Sequence, residues 1–262
     1  MLERPEPATA AALARLYDLD LQDDPGDLDL WLALAARAGG PVLELAAGSG
    51  RLTVPIAEAG YPVTAVDLDP AMLERGRARA SDAGLAPDAI TWVEADLREV
   101  RRPDAGSFTM AFIGLNSLML LGSRDGQRDA FRTMAVHLAP GGLAAVDVWL
   151  PDAEDLGRFD GRVMLEWPRV DPESGQLVTK VGSAQHDAAT GMVTLTAMYE
   201  EGGQGEAPRR WFRRDRLRLV SADELVDFAE GAGLRVELVA GGYDLEPLGP
   251  GSDRAVLIAA RP

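Results

Sequence analysis

The chain has 262 residues, 47% of them hydrophobic, with 28 Gly, 17 Pro and a formal charge of −16. That describes one large domain, or one domain with a sizeable insertion, and excludes a disordered polymer. The negative field opposes nucleic acid as a partner. Cysteine is absent and histidine is limited to His137 and His186, so disulfides, thiolate nucleophiles and multi-histidine metal sites are excluded. The start, MLERPEPATA, lacks the basic opening and apolar run of a signal peptide, and no stretch approaches the roughly 20 apolar residues of a membrane span. A cytoplasmic chain without a membrane partner is expected.

ATAAALARLY and LDLWLALAARAGG read as helices flanking the acidic stretch DLDLQDDPGD, the second ended by glycines. Six aspartates between Asp18 and Asp29 do not make a calcium loop, because Gln22 and Asp23 stand where a ligand and a glycine belong. We expect a solvated acidic linker that caps the next helix. From Pro41 the rhythm changes to short apolar runs, VLEL, PVTAVD, AITWVEAD, FTMAFIGL and GLAAVDVW, with helical patterns between most of them. Strands alternating with helices predict an α/β fold, a doubly wound, mostly parallel sheet covered on both faces.

After Trp149 the rhythm breaks. QLVTKVGSA, GMVTLTAMYEE and RRWFRRDRLRLV read as antiparallel strands joined at turns such as DAATG and EGGQGEAP. The α/β pattern resumes at SADELVDFAEGAG, where Ser221 and Glu224 fit a capping box, followed by LRVELVAGG and RAVLIAAR. The expected organisation is a helical cap over 1–40, a cofactor-binding core over 41–150, an inserted antiparallel sheet over 151–220, and a closing helix with two strands over 221–262, seven strands in the main sheet.

The most informative stretch is VLELAAGSGRLTVPIAEAGYPVTAVDLDPAML. Gly48 and Gly50 let backbone pass close under a ligand at a strand-to-helix turn, where helix amides face it. A dinucleotide fingerprint needs a third glycine, where this chain has Thr53, and Glu44 before the turn suits an ammonium better than a pyrophosphate. That favours S-adenosylmethionine over a nicotinamide cofactor. Asp67, ending the second strand, is placed to accept both ribose hydroxyls, with Leu68 against adenine. Asp96, ending the third, can accept from the adenine amino group while the Leu97 amide meets a ring nitrogen. Ligands of open α/β sheets bind at strand C-termini, where all of these fall.

ELAAGSGR, VDLDPAML, EADLREV and HLAPGGLAAVDV resemble, in order and spacing, the successive motifs of class I S-adenosylmethionine-dependent methyltransferases. The resemblance covers 41–149 well and 221–260 loosely, and it implies a Rossmann-like methyltransferase fold. The N-terminal segment and the late sheet are similar to small-molecule N- and O-methyltransferases of that class. By that likeness Tyr17 and Trp31 close over the cofactor, and Ala46, Met72 and Leu115 join the cofactor set. After strand four such enzymes often read LN-x-x-x-HL; here GLNSLMLL puts Leu120 in the histidine position.

Methyl transfer is a direct displacement in which alignment alone contributes about 7–11 kcal/mol. A neutral amine needs no strong base, whereas a hydroxyl usually does. His186, in SAQHDAATG, is the candidate base or substrate ligand, and Asn116 the candidate for orienting substrate or cofactor. His137 reads as a helix C-terminal residue. No acid follows strand four, so no catalytic metal is expected. Trp167, Tyr199, Trp211 and Phe212 are candidates for an acceptor pocket. Arg214, Arg216 and Arg218 form one face of a strand, either solvated or a docking strip for an anion or for a second subunit in a homodimer. The expected function is methyl transfer to N or O of a small-molecule acceptor. The alternatives are cofactor binding without transfer and a nicotinamide-dependent oxidoreductase.

Overall fold

The computed structural model describes residues 6–23, 25–202 and 207–262. The chain divides into two compact units: Pro25–Leu150 with Val220–Pro262, and the segment before Pro25 with Pro151–Leu219.

The larger unit is a seven-stranded sheet built from β1 (Val42–Leu45), β2 (Val63–Asp67), β3 (Ile90–Glu94), β4 (Phe108–Ile113), β5 (Leu138–Trp149), β10 (Arg235–Ala240) and β11 (Arg254–Ala260). Its order is β10-β11-β5-β4-β1-β2-β3, with β11 reversed relative to the other six strands. This is the doubly wound, mostly parallel sheet expected. The order reverses between β1 and β4, whose C-terminal ends therefore flank a crevice. The helices are α2 (Leu28–Ala38), α3 (Thr53–Glu58), α4 (Pro70–Asp82), α5 (Arg124–His137) and α7 (Ala222–Gly231).

Local chemistry sets the helix starts. Asp69 caps α4 by accepting from the Ala71 amide at 2.9 Å, with Pro70 pre-set in the first turn. Ser221 and Glu224 form the expected capping box of α7. β1 is buried along its whole length, which is why VLEL shows no alternation. β5 begins at Leu138, earlier than the run from Gly142 suggested, because Leu138 already pairs with Phe108; APGG lies in the register shift before Leu143 pairs with Met110. His137, fully buried, ends α5 with Nδ1 2.8 Å from the Thr133 carbonyl oxygen.

The second unit contains α1 (Pro7–Asp20), α6 (Ala153–Arg158) and a four-stranded antiparallel sheet in the order β6 (Asp160–Val170), β7 (Leu177–Asp187), β8 (Met192–Gly202), β9 (Arg209–Arg218). Sequence reading finds β7, β8 and β9 but not β6, whose Pro168 argues against a central strand; β6 is an edge strand, where proline is tolerated. One sheet face is covered by α1, whose Leu16 and Leu19 pack on Val178 and Tyr199. Turn residues 203–206, within the expected EGGQGEAP turn, lie outside the described residues.

The expected N-terminal cap over 1–40 is divided, with α1 in the smaller unit and α2 in the larger. The acidic stretch between them is solvated only in part: among its described residues Gln22, Asp23 and Gly26 are exposed and Asp27 is not. Asp27 is fully buried and caps nothing with its side chain; it takes a bidentate bond from Arg51 at 2.6 and 2.7 Å. Asp20 takes a bond from Lys180, and Asp23 one from Arg169. Among the described residues no helix is long and apolar enough to cross a membrane.

Candidate cofactor site

β1 ends at Leu45, and the backbone turns through Ala46 at φ 61°, Gly48 at 55° and Gly50 at 76° before α3 begins. The two glycines do different work. A Cβ on Gly48 would meet nothing within 4 Å, so Gly48 leaves the turn open to a ligand. A Cβ on Gly50 would lie 2.9 Å from the Trp92 ring and 3.3 Å from the Gly76 Cα. Gly50 and Gly76 thus supply the close helix–sheet approach that the missing third glycine would otherwise provide.

Asp67 closes the turn against β2. Its carboxylate accepts from the Gly48 amide at 2.7 Å and the Asp69 amide at 2.9 Å. Burial pushes its pKa up, and these two amides oppose the shift. Leu68 follows, 54% exposed. Together with Ala46, Asp96, Leu97 and Ser117 they line a cavity of about 280 Å³ at the C-terminal ends of β1, β2 and β3. Asp96 is engaged: Arg98 bonds both carboxylate oxygens through its side chain and one through its backbone amide, holding the carboxyl below its usual range. Arg98 also lines the cavity. Sequence reading missed that pairing, although the two-residue spacing in DLR carries it.

Glu44 lies beneath the turn, 4% exposed, and accepts from the Thr53 hydroxyl. Burial pushes its pKa up to about 8, with the Thr53 bond and the Arg51 charge working the other way. Thr53 therefore has a defined task as the partner of Glu44.

Asn116 and Leu115 follow β4 with φ of 65° and 50°, the left-handed region that costs a non-glycine residue about 1–3 kcal/mol. The turn is held from β5. Fully buried Asp147 accepts from the Leu115 amide at 2.7 Å, the Tyr243 hydroxyl at 3.0 Å and Arg254 at 2.5 Å. Asn116 Oδ1 accepts from the Trp149 amide at 2.5 Å. The side chain expected to orient substrate or cofactor thus uses its oxygen to fix the end of β5. The signal for this network was a lone acid inside the apolar run AAVDVW. The 3-10 turn Ser117–Leu121 follows and walls the cavity with Ser117, Leu120 and Leu121.

Other expected residues lie elsewhere. Trp31 is fully buried, stacked on Phe112 at 4.6 Å with its Nε1 donating to Asp27, so it is a core residue and not a cover for a cofactor. Met72 is half-buried on α4. Tyr17 belongs to the smaller unit, where the Arg213 guanidinium lies 5.4 Å from its ring. His186, half-buried near the end of β7 and paired with Val193, belongs to the same unit. Of the four candidate pocket aromatics, Tyr199 lines a cavity there, Trp167 and Trp211 pack against the cluster of α1 and the sheet, and Phe212 is exposed on the other face. Among the described residues no three acids or histidines gather as a metal site.

Residues 42–142 match the family model described as "Methyltransferase domain". The chain is 29% identical over 136 residues to the putative methyltransferase YqeM of Bacillus subtilis (strain 168), covering 52% of this chain and 53% of that protein; it thus spans about half of that relative's length. It is 27% identical over 232 residues to the cypemycin N-terminal methyltransferase of a Streptomyces species, covering 85% and 84%. A solved structure of an S-adenosylmethionine-dependent methyltransferase from Clostridium acetobutylicum ATCC 824 superposes with a TM-score of 0.77 at 17% identity, covering 95% of this chain and 98% of that one. Residues 42–142 are therefore a methyltransferase domain, and the sheet that carries them has the Rossmann-like fold of the class I S-adenosylmethionine-dependent methyltransferases.

Proposed function

We propose that the chain transfers a methyl group from S-adenosylmethionine to a nitrogen of a small-molecule acceptor. The observation that carries the reading is the cavity at the ends of β1, β2 and β3, where Ala46, Asp67, Leu68, Asp96 and Leu97 converge. Asp67 keeps lone pairs beyond its two amide bonds for the ribose hydroxyls, Leu68 offers an apolar face to the adenine, and the open Gly48 turn admits the methionine end. Glu44 lies buried beneath that turn, bonded by the Thr53 hydroxyl, and supports it from below. The sulfonium supplies an activated methyl when bound; the chain's own residues align it and keep water away.

In the transfer the acceptor nitrogen donates its lone pair to the methyl carbon as the carbon–sulfur bond breaks, and the nitrogen then releases a proton to solvent. Nitrogen is favoured over oxygen because an amine needs no strong base, and the candidate bases do not assemble one. Leu120 stands in the histidine position, the Asn116 oxygen is engaged, and His186 is not among the residues lining the cavity of its unit. The cypemycin relative, whose name is that of an N-terminal methyltransferase, points the same way. Partners are thus a small-molecule acceptor and the cofactor. The test is mass spectrometry of a metabolite extract incubated with the chain and methyl-labelled S-adenosylmethionine. Labelled N-methyl products are expected; label on oxygen alone, or none, overturns the assignment.

A further inference from the structure

The smaller unit holds a cavity of about 670 Å³, within the size range of small-molecule sites. Phe159, Tyr17, Tyr199 and Leu195 give it apolar and aromatic surface, and Asp20, Glu166 and Lys180 stand in its wall. Lys180 is the only lysine in the chain. Its ammonium lies 2.5 Å from Asp20 Oδ2 and 2.8 Å from Glu166 Oε2.

Two backbone features bring Glu166 there. The β6–β7 register slips between Leu165, opposite Val181, and Trp167, opposite Lys180. That bulge inserts Glu166 as an extra residue and re-aims its side chain. The carboxyl then lies over Gly182, in mid-strand β7, where a Cβ would overlap it. A glycine inside a strand weakens it and marks a close approach; here the approaching group is the Glu166 carboxyl.

The charges around the cavity do not cancel at this point. Arg213 has Asp215 at 2.7 Å, Arg158 has Glu154 and Arg162 has Asp160, both at 2.5 Å, and Asp155 belongs to the capping box of α6. Of the described cations lining this cavity, Lys180 alone is paired with two carboxylates. Asp20 is tied further by the Trp167 Nε1 at 2.9 Å and the Tyr199 hydroxyl at 3.5 Å, whereas Glu166 is 41% exposed. One negative charge is left in excess, on the more open of the two acids.

We propose that this cavity binds an amine-bearing small molecule and that Glu166 is the carboxylate that recognises the amine. Lys180 and Asp20 are positioning residues that hold Glu166 in place. That the ligand is also the methyl acceptor rests on the function proposed above; the binding site itself does not.

The experiment uses the full chain and three pyranose probes that differ in charge, namely glucosamine, glucose and glucuronate, titrated by saturation-transfer NMR. Glucosamine binds about tenfold more tightly than glucose, the effect of one charged hydrogen bond, and glucuronate binds least. Glu166→Gln removes the charge, and Gly182→Ala displaces the carboxyl without removing it; each brings glucosamine to the level of glucose while the melting temperature holds. Absence of binding by all three probes, equal binding of glucosamine and glucose, tighter binding of glucuronate, or a preference that survives both substitutions overturns the proposal. Titration of the same samples with S-adenosylhomocysteine judges the methyltransferase reading separately. A chain that prefers glucosamine but gives no heat with S-adenosylhomocysteine keeps this site and loses that function.

Discussion

The two units differ in where they bury charge: the larger at the ends of its strands and helices, the smaller at one cluster where Asp171 and Glu201 face Arg15. In the larger, acids sit inside: Asp27, Glu44 and Asp147 are buried at strand and helix ends and bonded to Arg51, Thr53 and Arg254. In the smaller, many acids and arginines pair on exposed or half-exposed sheet faces, as with Arg210 and Glu200. Buried charges must be satisfied, so they lock geometry, and exposed pairs contribute little to stability. The buried acids of the larger unit thus fix the turns that follow β1 and β4, while most ion pairs of the smaller unit's sheet lie in the open.

The largest effect expected on cofactor binding belongs to Asp67, whose carboxylate closes the Gly48 turn and on the proposed function meets the ribose. Asp67→Ala lowers S-adenosylhomocysteine affinity by about 100-fold, two charge-assisted hydrogen bonds' worth; isothermal titration reads it, and unchanged affinity would put the ribose elsewhere. Next is Asp147→Ala, which strips Arg254, Tyr243 and the Leu115 amide of their partner. It costs about 3–5 kcal/mol by urea denaturation, against less than about 1 kcal/mol for Arg210→Ala in the smaller unit. Equal losses from the two would erase the contrast between the units.

Glu44 sharpens the contrast through pH. Its folded pKa, about 8, stands above its unfolded value near 4.5, so between those values the folded chain binds the extra proton. Its contribution to stability is full below the unfolded pKa, falls as pH rises through the folded one, and is constant beyond. Glu44→Gln therefore gains melting temperature relative to the parent chain between pH 5 and about 9. A difference flat in pH would show that Glu44 does not hold its proton. The smallest effect is assigned to His186: on the N-methylation reading His186→Ala leaves kcat within about twofold, and a fall of about 100-fold would make it the base.

Legibility followed the same division. Short apolar runs alternating with helices gave the main sheet, and Asp67 was readable because it ends β2, with Asp96 two residues past the end of β3. Trp31 misled, since an aromatic on an apolar helix face reads alike whether it covers a ligand or fills a core; only the stacking on Phe112 decides. β6 was hidden by Pro168, harmless on an edge strand. Engagement was the other blind spot: Asp96 with Arg98, Asn116 with Trp149 and Asp147 with Arg254 depend on which side chain reaches which partner, and the last two span more than thirty residues. In the alternating strand β9, Arg214 and Arg216 lie on the exposed face as the period of two requires, with Phe212 beside them at 64% exposure.

Isothermal titration of the full chain with S-adenosylhomocysteine, run beside a reduced nicotinamide dinucleotide, reaches the centre of the account. It should give a single saturable site for the sulfur nucleoside, weakened about 100-fold in Asp67→Ala, and none for the dinucleotide. Heat from the dinucleotide alone, or from neither compound, would contradict it.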